Sequence, residues 1–339
     1  MTRAPVKPIS PGKRDDTFYR LLAGAARTKL FESAVDLRLP LLLAVHGPLS
    51  AAEIAEALAL HPKRACKWLQ LLARIGLVQE KKGRFANSRM AEALFWDGQG
   101  AESFFVRDMI QYCRRVNALD LSEVLRGMPL PEAVRYPPQT REAAHHLEHW
   151  MTITSRDALT ALQTAVDWTG VRTVLDVGGG DGTMACAMAR QYSWLKVTVF
   201  NLPASAELAR ARIAREGASE RVQVVEGDFL VDDLPKGFDC VLFSRVLADW
   251  GPEACRRLIG KARAALAPGG WLHICEPFIN RNPDLALSWQ FRYLFYDDFD
   301  VETYKFIRQY RSMVAAAGFT RCTVQDRVAD TLYGVISAS

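Results

Sequence analysis

The chain has no uninterrupted apolar stretch of about 18 residues and no short apolar run behind a basic N-terminus, so neither a helical membrane span nor a secretory signal is indicated. Internal repeats and low-complexity blocks are absent too. The cysteines, 7 in all, are odd in number and not closely paired, so they read as reduced thiols of a cytoplasmic protein, not a disulfide framework. Charge of one sign is scarce. Lys plus Arg number 43 against 38 for Asp plus Glu, and the net charge of +5 is too modest to demand a nucleic acid. Of the 6 histidines, only His145, His146 and His149 cluster, and no cysteine or carboxylate pair completes a metal site around them.

What is present is informative. A length of 339 residues suggests two domains. The run Thr173-Val174-Leu175-Asp176-Val177-Gly178-Gly179-Gly180-Asp181-Gly182 leads an apolar strand into a glycine-rich turn, and a helical pattern follows over Thr183 to Gln191. Glycines let a ligand approach the backbone, and a helix start offers free N–H groups. A second strand, Lys196 to Phe200, ends in Asn201. The turn lacks the G-x-G-x-x-G spacing of dinucleotide sites. G-G-G-D-G suits S-adenosylmethionine better, a cofactor without phosphate whose amino-acid end and ribose must be wrapped instead.

Further αβ units follow. Arg221 to Phe229, Phe238 to Ser244 and Trp271 to Cys275 read as strands, with a helix over Glu253 to Leu266 and a turn over Ala267 to Gly270. Alternating strands and helices predict an α/β fold on a parallel sheet. Ligands of such sheets bind beyond the C-terminal strand ends, where Asp176, Asn201, Asp228 and Ser244 all fall.

With these stretches in hand, the chain resembles the class I S-adenosylmethionine-dependent methyltransferases. More narrowly, it is similar to the small-molecule O-methyltransferase family that includes acetylserotonin, plant phenolic, hydroxyneurosporene and bacterial polyketide methyltransferases. The carriers are LDVGGGDG (175–182), VFNLP (199–203), VEGDFL (225–230), FSRVLADW (243–250), APGG (267–270), EP (276–277) and AAAGF (315–319). The resemblance implies a Rossmann-like cofactor domain, S-adenosylhomocysteine as product and no metal. It implies that Asp176, Gly178 and Gly180 hold the methionine end, Asn201 and Leu202 the ribose, Asp228 and Phe229 the adenine, and that Ser244 and Arg245 line the far side. Met151 and Ser155 match two more cofactor positions, and four residues apart they share a helix face. One departure is Asn201, where the family has an Asp for both ribose hydroxyls.

A second departure concerns catalysis. The family reads L-H-D-W, with the histidine as general base, where this chain has Leu247, Ala248, Asp249 and Trp250. The glutamate that steers that histidine matches Tyr304. The chain is also similar to the bacteriochlorophyllide C-20 methyltransferase of the family, in N-L-P, in the missing histidine, and in a T-R-E stretch like Thr140-Arg141-Glu142. An acidic hydroxyl acceptor aligned by proximity, a carbon or nitrogen nucleophile, a different base, and a hydroxylase-like use of the cofactor without transfer all remain open. On a helix from His145 to Ala158, Glu148 falls on the face of Met151 and Ser155 and would look into the acceptor space. It is the candidate base, with Tyr304 as an orienting group. Asp249 reads as an anchor of the motif turn, and His273 as core packing. Trp250, Phe291, Phe295 and Tyr296, with Trp289, Tyr293, Phe299, Phe104, Phe105 and Tyr112, sketch a pocket for a small aromatic or pigment-like substrate. Asp297, Asp298 and Asp300 read as a solvated turn.

The N-terminal part is a different kind of domain. Ser50 precedes a periodic helix, a second helix follows over Lys63 to Ile75, and Gly76 to Phe85 reads as a hairpin. That is a winged-helix outline. Lys63, Arg64, Lys67, Lys81, Lys82 and Arg84 leave a DNA-binding regulator as a third reading. The resemblance implies instead that the module pairs two subunits in a homodimer. The domains are therefore set at 17–100 for this module, 101–170 for a helical linker contributing to the pocket and 171–339 for the cofactor domain. Residues 1–16, with Pro5, Pro8 and Pro11 among basic residues, read as a mobile tail.

Overall fold

A computed structural model describes residues 10–96, 103–128, 138, 140–296, 299 and 301–339. The acidic turn at Asp297, Asp298 and Asp300 lies outside them, as do residues 1–9 and the side chain of Phe104. The chain divides into two units, Met1–Asp120 and Leu121–Ser339. The stretch 101–170 is split between them.

The first unit runs α1 (Pro11–Asp36), α2 (Leu39–His46), β1 (Leu49–Ser50), α3 (Ala51–Ala57), α4 (Pro62–Arg74), β2 (Val78–Lys81), β3 (Arg84–Asn87), α5 (Arg89–Phe95) and α6 (Phe104–Asn117). Residues 11–16, expected in the mobile tail, form the start of α1, with Pro11 at the first helical position, where its missing N–H is not needed. Ser50 and Glu53 close a reciprocal capping box on α3. Strands β1, β3 and β2 make a small antiparallel sheet in that order. Ile54, Leu69, Leu72 and Phe85 meet in its core. Tyr112 and Phe105 belong to α6 of this unit, Tyr112 being buried and Phe105 packed on that same core.

The second unit runs α7 (Leu121–Leu125), α8 (Arg141–Ile153), α9 (Ser155–Ala165), β4 (Thr173–Val177), α10 (Thr183–Gln191), β5 (Lys196–Asn201), α11 (Pro203–Arg215), β6 (Val222–Glu226) and β7 (Phe238–Ser244). One turn of 3₁₀ helix, Leu247–Asp249, precedes α12 (Pro252–Ala265), β8 (Leu266–Glu276), α13 (Pro283–Tyr293), α14 (Ile307–Ala316), β9 (Cys322–Gln325) and β10 (Gly334–Ala338). The sheet order is β6-β5-β4-β7-β8-β10-β9. Strands β4 to β8 pair in parallel, and β10 is antiparallel to both its neighbours. The chain winds from β4 out to β6, then returns to β7 on the other side of β4. That reversal opens a crevice at the C-terminal ends of β4 and β7, where α/β sheets bind ligands. The apolar residues of β4 and β7 alternate between two cores, one beneath α12 and α14 and one beneath α9 and α10, as strands buried on both faces require.

Three sequence expectations change. The single helix over His145 to Ala158 is two, broken at Thr154, so Met151 and Ser155 do not share one helix face. Ala267 to Gly270 is not a turn before the strand but a bulge inside β8, between the Phe238–Leu266 and Cys240–Trp271 pairs. The strand expected over Arg221 to Phe229 stops at Glu226, leaving Asp228 in the loop beyond it. Two further strands, β9 and β10, lie beyond the elements read from the sequence; β9 is short and half-exposed, and β10 is largely buried between β8 and β9.

Candidate active site

Asp176, Asn201 and Ser244 lie at the ends of β4, β5 and β7, as expected from the strand pattern. The glycine-rich turn after β4 is shaped by positive φ at Gly178 (71°), Gly180 (60°) and Gly182 (79°). Side chains are excluded there by crowding as well as by conformation. A Cβ on Gly178 would stand 2.8 Å from Val246, one on Gly179 2.5 Å from Asp176 Oδ2, and one on Gly180 2.5 Å from Glu148 Oε2.

Two buried carboxyls flank this turn. Asp176 is 2% exposed, and its Oδ2 has no hydrogen-bond partner. Burial pushes its pKa up to about 7, which Arg245 partly offsets. Glu148 is 5% exposed, with Oε2 likewise unpartnered. Burial pushes it up to about 7 as well, against hydrogen bonding to Ser205. The helix-face argument aims Glu148 at the acceptor space; the structure places its carboxylate on the glycine turn, where α8 packs against α11 and Glu148 bonds to Ser205 and the Asp181 N–H. Asp181, inside the turn, is fully engaged with Arg212, Thr152 and Thr183.

The remaining cofactor candidates surround the turn. The amide of Asn201 donates to Gly180 O (3.4 Å) and accepts from Leu202 N–H (2.9 Å). Asp228 accepts from Leu230 N–H (2.8 Å), and Phe229 packs its ring edge-on to Trp250. Trp250, a substrate candidate, thus packs against the adenine candidate Phe229. Ser155 is buried and donates to Thr152 O (2.8 Å), while Met151 is half-buried. The Ser244 hydroxyl approaches Met184 Sδ (3.7 Å). Arg245 has φ of 58°, a left-handed backbone that costs a non-glycine residue about 1–3 kcal/mol. Its guanidinium donates to Thr154 Oγ1 (2.7 Å) and bonds the Tyr333 side chain, and its Nε is buried without a partner.

The motif turn after β7 is held by two residues that the sequence reading did not assign. Glu276 Oε1 accepts from the N–H groups of Val246 (2.9 Å), Leu247 (2.8 Å) and Ala248 (3.3 Å). Lys305, 1% exposed, donates to the carbonyls of Leu247 (2.9 Å) and Trp250 (2.5 Å). Glu276 could have been found as another polar residue at a parallel-strand C-terminus. Lys305 carries no local signal. Burial pushes Glu276 up to about 8, with Lys305 opposing.

Beside this turn stands an aromatic wall. Tyr304, with φ of 25°, donates its backbone N–H to Ala248 O (2.8 Å). Its hydroxyl bonds to Tyr293, and Tyr293 donates to Asp249 Oδ1 (2.6 Å). Burial raises Tyr304 well above the usual tyrosine value, and the nearby carboxylates Asp249 and Glu276 add to that. Tyr293 stacks on Phe299 at 3.9 Å. Phe295 is buried against the exposed Phe291. The guanidinium of Arg292 lies over the rings of Trp150, Trp289 and Tyr296. His273 is remote, on β8, bonded to Ser337 and held down to about 4 by burial. Among the described residues no group of three metal-ligating side chains occurs.

The residues fit S-adenosylmethionine. A tight cradle without Cβ atoms, two buried carboxyl oxygens lacking donors and a half-buried guanidinium with an unpartnered Nε suit a ligand that brings an aminium, a carboxylate and ribose hydroxyls. When bound, that cofactor supplies a methyl group on a positively charged sulfur. Fold and site together define a class I S-adenosylmethionine-dependent methyltransferase. The chain belongs to the O-methyltransferase family: the O-methyltransferase domain matches residues 125–320, and the O-methyltransferase dimerisation domain matches residues 19–97. It is similar to the N,N-dimethyltransferase OxyT of Streptomyces rimosus, 30% identical over 290 residues, 81% of each chain. It is similar to the 3-hydroxy-5-methyl-1-naphthoate 3-O-methyltransferase of Streptomyces sahachiroi, 30% identical over 77% of this chain and 76% of that one. Among solved structures, the S-adenosylmethionine-dependent methyltransferase SibL is 31% identical, with a TM-score of 0.78 over 95% of this chain and 98% of that one.

Proposed function

We propose that the protein transfers a methyl group to a hydroxyl of a small aromatic secondary metabolite, as a homodimer in the cytoplasm. The observation that carries the acceptor assignment is the chain Tyr304–Tyr293–Asp249 beside Ala248. Alanine cannot take a proton, but this chain ends on a carboxylate. A substrate hydroxyl resting on Tyr304 passes its proton to the Tyr304 oxygen, Tyr304 passes its own to Tyr293, and Tyr293 passes its own to Asp249. The acceptor oxygen is left as the nucleophile and Asp249 as a neutral acid. Because Tyr304 is held protonated, it relays the proton and does not store it. Tyr293 and Asp249 act here as positioning residues. Alignment and exclusion of water do the rest, since a positively charged sulfur already activates the methyl.

In this reading Asp176, Gly178 and Gly180 receive the methionine end, Gly180 on its ribose side next to Asn201, with Met151, Ser155, Ser244 and Arg245 around it. Asn201 and Leu202 lie at the ribose, and Asp228 and Phe229 at the adenine. Phe291, Phe295 and Tyr296 present the apolar surface to the acceptor, and Trp250 backs Phe229. The relative acting on a hydroxynaphthoate supports an aromatic hydroxyl. The runner-up is methylation at nitrogen or carbon, favoured by Ala248 and by the relative named as an N,N-dimethyltransferase.

The test incubates the purified protein with S-adenosylmethionine and a panel of hydroxynaphthoates and aminophenols, and locates the new methyl by NMR. A methoxy product with equimolar S-adenosylhomocysteine is expected, and Tyr293→Phe should lower kcat about 10²-fold. A methyl found only on nitrogen or carbon would replace this reading by the runner-up.

A further inference from the structure

Glu148 and Asn201 meet at one residue, Gly180. Glu148 Oε2 lies 2.5 Å from where a Gly180 Cβ would be, and Asn201 Nδ2 donates to the Gly180 carbonyl. Glu148 is nine-tenths buried and more, and that oxygen has no donor. Its other contacts are the Ser205 hydroxyl and the Asp181 N–H. Of the guanidiniums around the turn, Arg212 is bonded to Asp181 and Arg245 to Thr154. A buried carboxyl so placed is unfavourable until a donor arrives.

Asn201 explains which donor. A vicinal diol presents two O–H groups. The Asn201 oxygen already accepts from Leu202 N–H, so one lone pair is left for one hydroxyl. A carboxylate could accept both, and the N-L-P sequence has none at this position. We propose that Glu148, from α8, replaces that missing carboxylate and accepts a ribose hydroxyl of the adenosyl group, sharing the diol with Asn201 across Gly180. The position favours the ribose over the methionine end. Glu148 is tied to Ser205, in the first turn of α11 just after Asn201, whereas Asp176 lies by Gly179 on the side of Arg245. The assignment rests on the methyl-donor reading above.

Calorimetry at pH 8 tests it with two probes, S-adenosylhomocysteine and 5′-methylthioadenosine, which keeps the ribose and lacks the amino-acid end. Glu148→Gln and Glu148→Leu should each weaken both probes by the same factor, about tenfold or more. Asn201→Asp placed in Glu148→Gln should recover most of the loss. The unaltered protein should bind 2′,3′-dideoxy-5′-methylthioadenosine at least about tenfold more weakly than 5′-methylthioadenosine. Equal binding of those two, or full 5′-methylthioadenosine affinity in either variant, overturns the proposal. Weakening of S-adenosylhomocysteine alone would move Glu148 to the aminium and overturn the ribose assignment. Failure of the unaltered protein to bind either probe would instead defeat the methyl-donor reading.

Discussion

At the scale of single residues, the crevice holds acids in an unfavourable state. Glu148 and Asp176 are pushed up to about 7 and Glu276 to about 8, each chiefly by burial. A carboxyl whose pKa is raised by folding keeps its proton where the unfolded chain has released it. Unfolding free energy therefore falls as pH rises through these values. His273, lowered to about 4, acts in the opposite direction, but its window closes near pH 6.5. Between pH 6.5 and 8 the ligand-free protein should lose about 3 kcal/mol, read from urea unfolding at several pH values. Glu148→Gln should remove about 1 kcal/mol of that loss. An unfolding free energy that is flat or rises over this interval would mean that these carboxyls are already ionised.

At the scale of elements, the glycine turn and the helix it starts were legible because their determinants are local. Three glycines with positive φ, a strand before them and a periodic helix after them all fall within 173–191. The same turn allows a contrast between two glycines of like conformation. Gly180→Ala has φ of 60° and meets Glu148 at 2.5 Å, while Gly217→Ala has φ of 64° and open space around it. Each substitution should cost about 1–2 kcal/mol in stability from backbone conformation. Only Gly180→Ala should also weaken S-adenosylhomocysteine, by about tenfold or more, because it alone fills the cradle. Loss of binding in Gly217→Ala would show that stability, not the cradle, limits affinity. The break at Thr154 was not legible. Helical periodicity continues through Met151, Thr152, Ile153, Thr154 and Ser155, and the Thr154 hydroxyl folds back on Trp150 O while taking a bond from Arg245, 91 residues away.

At the scale of the whole molecule, the first unit carries the dimerisation domain, and α1 exposes Phe18, Tyr19, Leu21 and Leu22. Apolar side chains so grouped along one helix are expected to be covered by a partner. Sedimentation at micromolar concentration should give one species at twice 37.9 kDa. A species of single-chain mass would leave the dimer reading unsupported. Read alone, the sequence determined the family, the alternation of strands and helices, and the polar residues at strand ends, since spacing along the chain decides each of these. Only the tertiary structure decided what those residues face. It turned Glu148 from the acceptor space to Gly180, joined Tyr304 to Asp249 through Tyr293, and clamped the motif turn between Glu276 and Lys305. The physical reason is distance in sequence: apart from the Tyr293–Tyr304 link, these contacts join residues roughly 30 to 60 positions apart, and the directions of their side chains are set by packing, which no local pattern encodes.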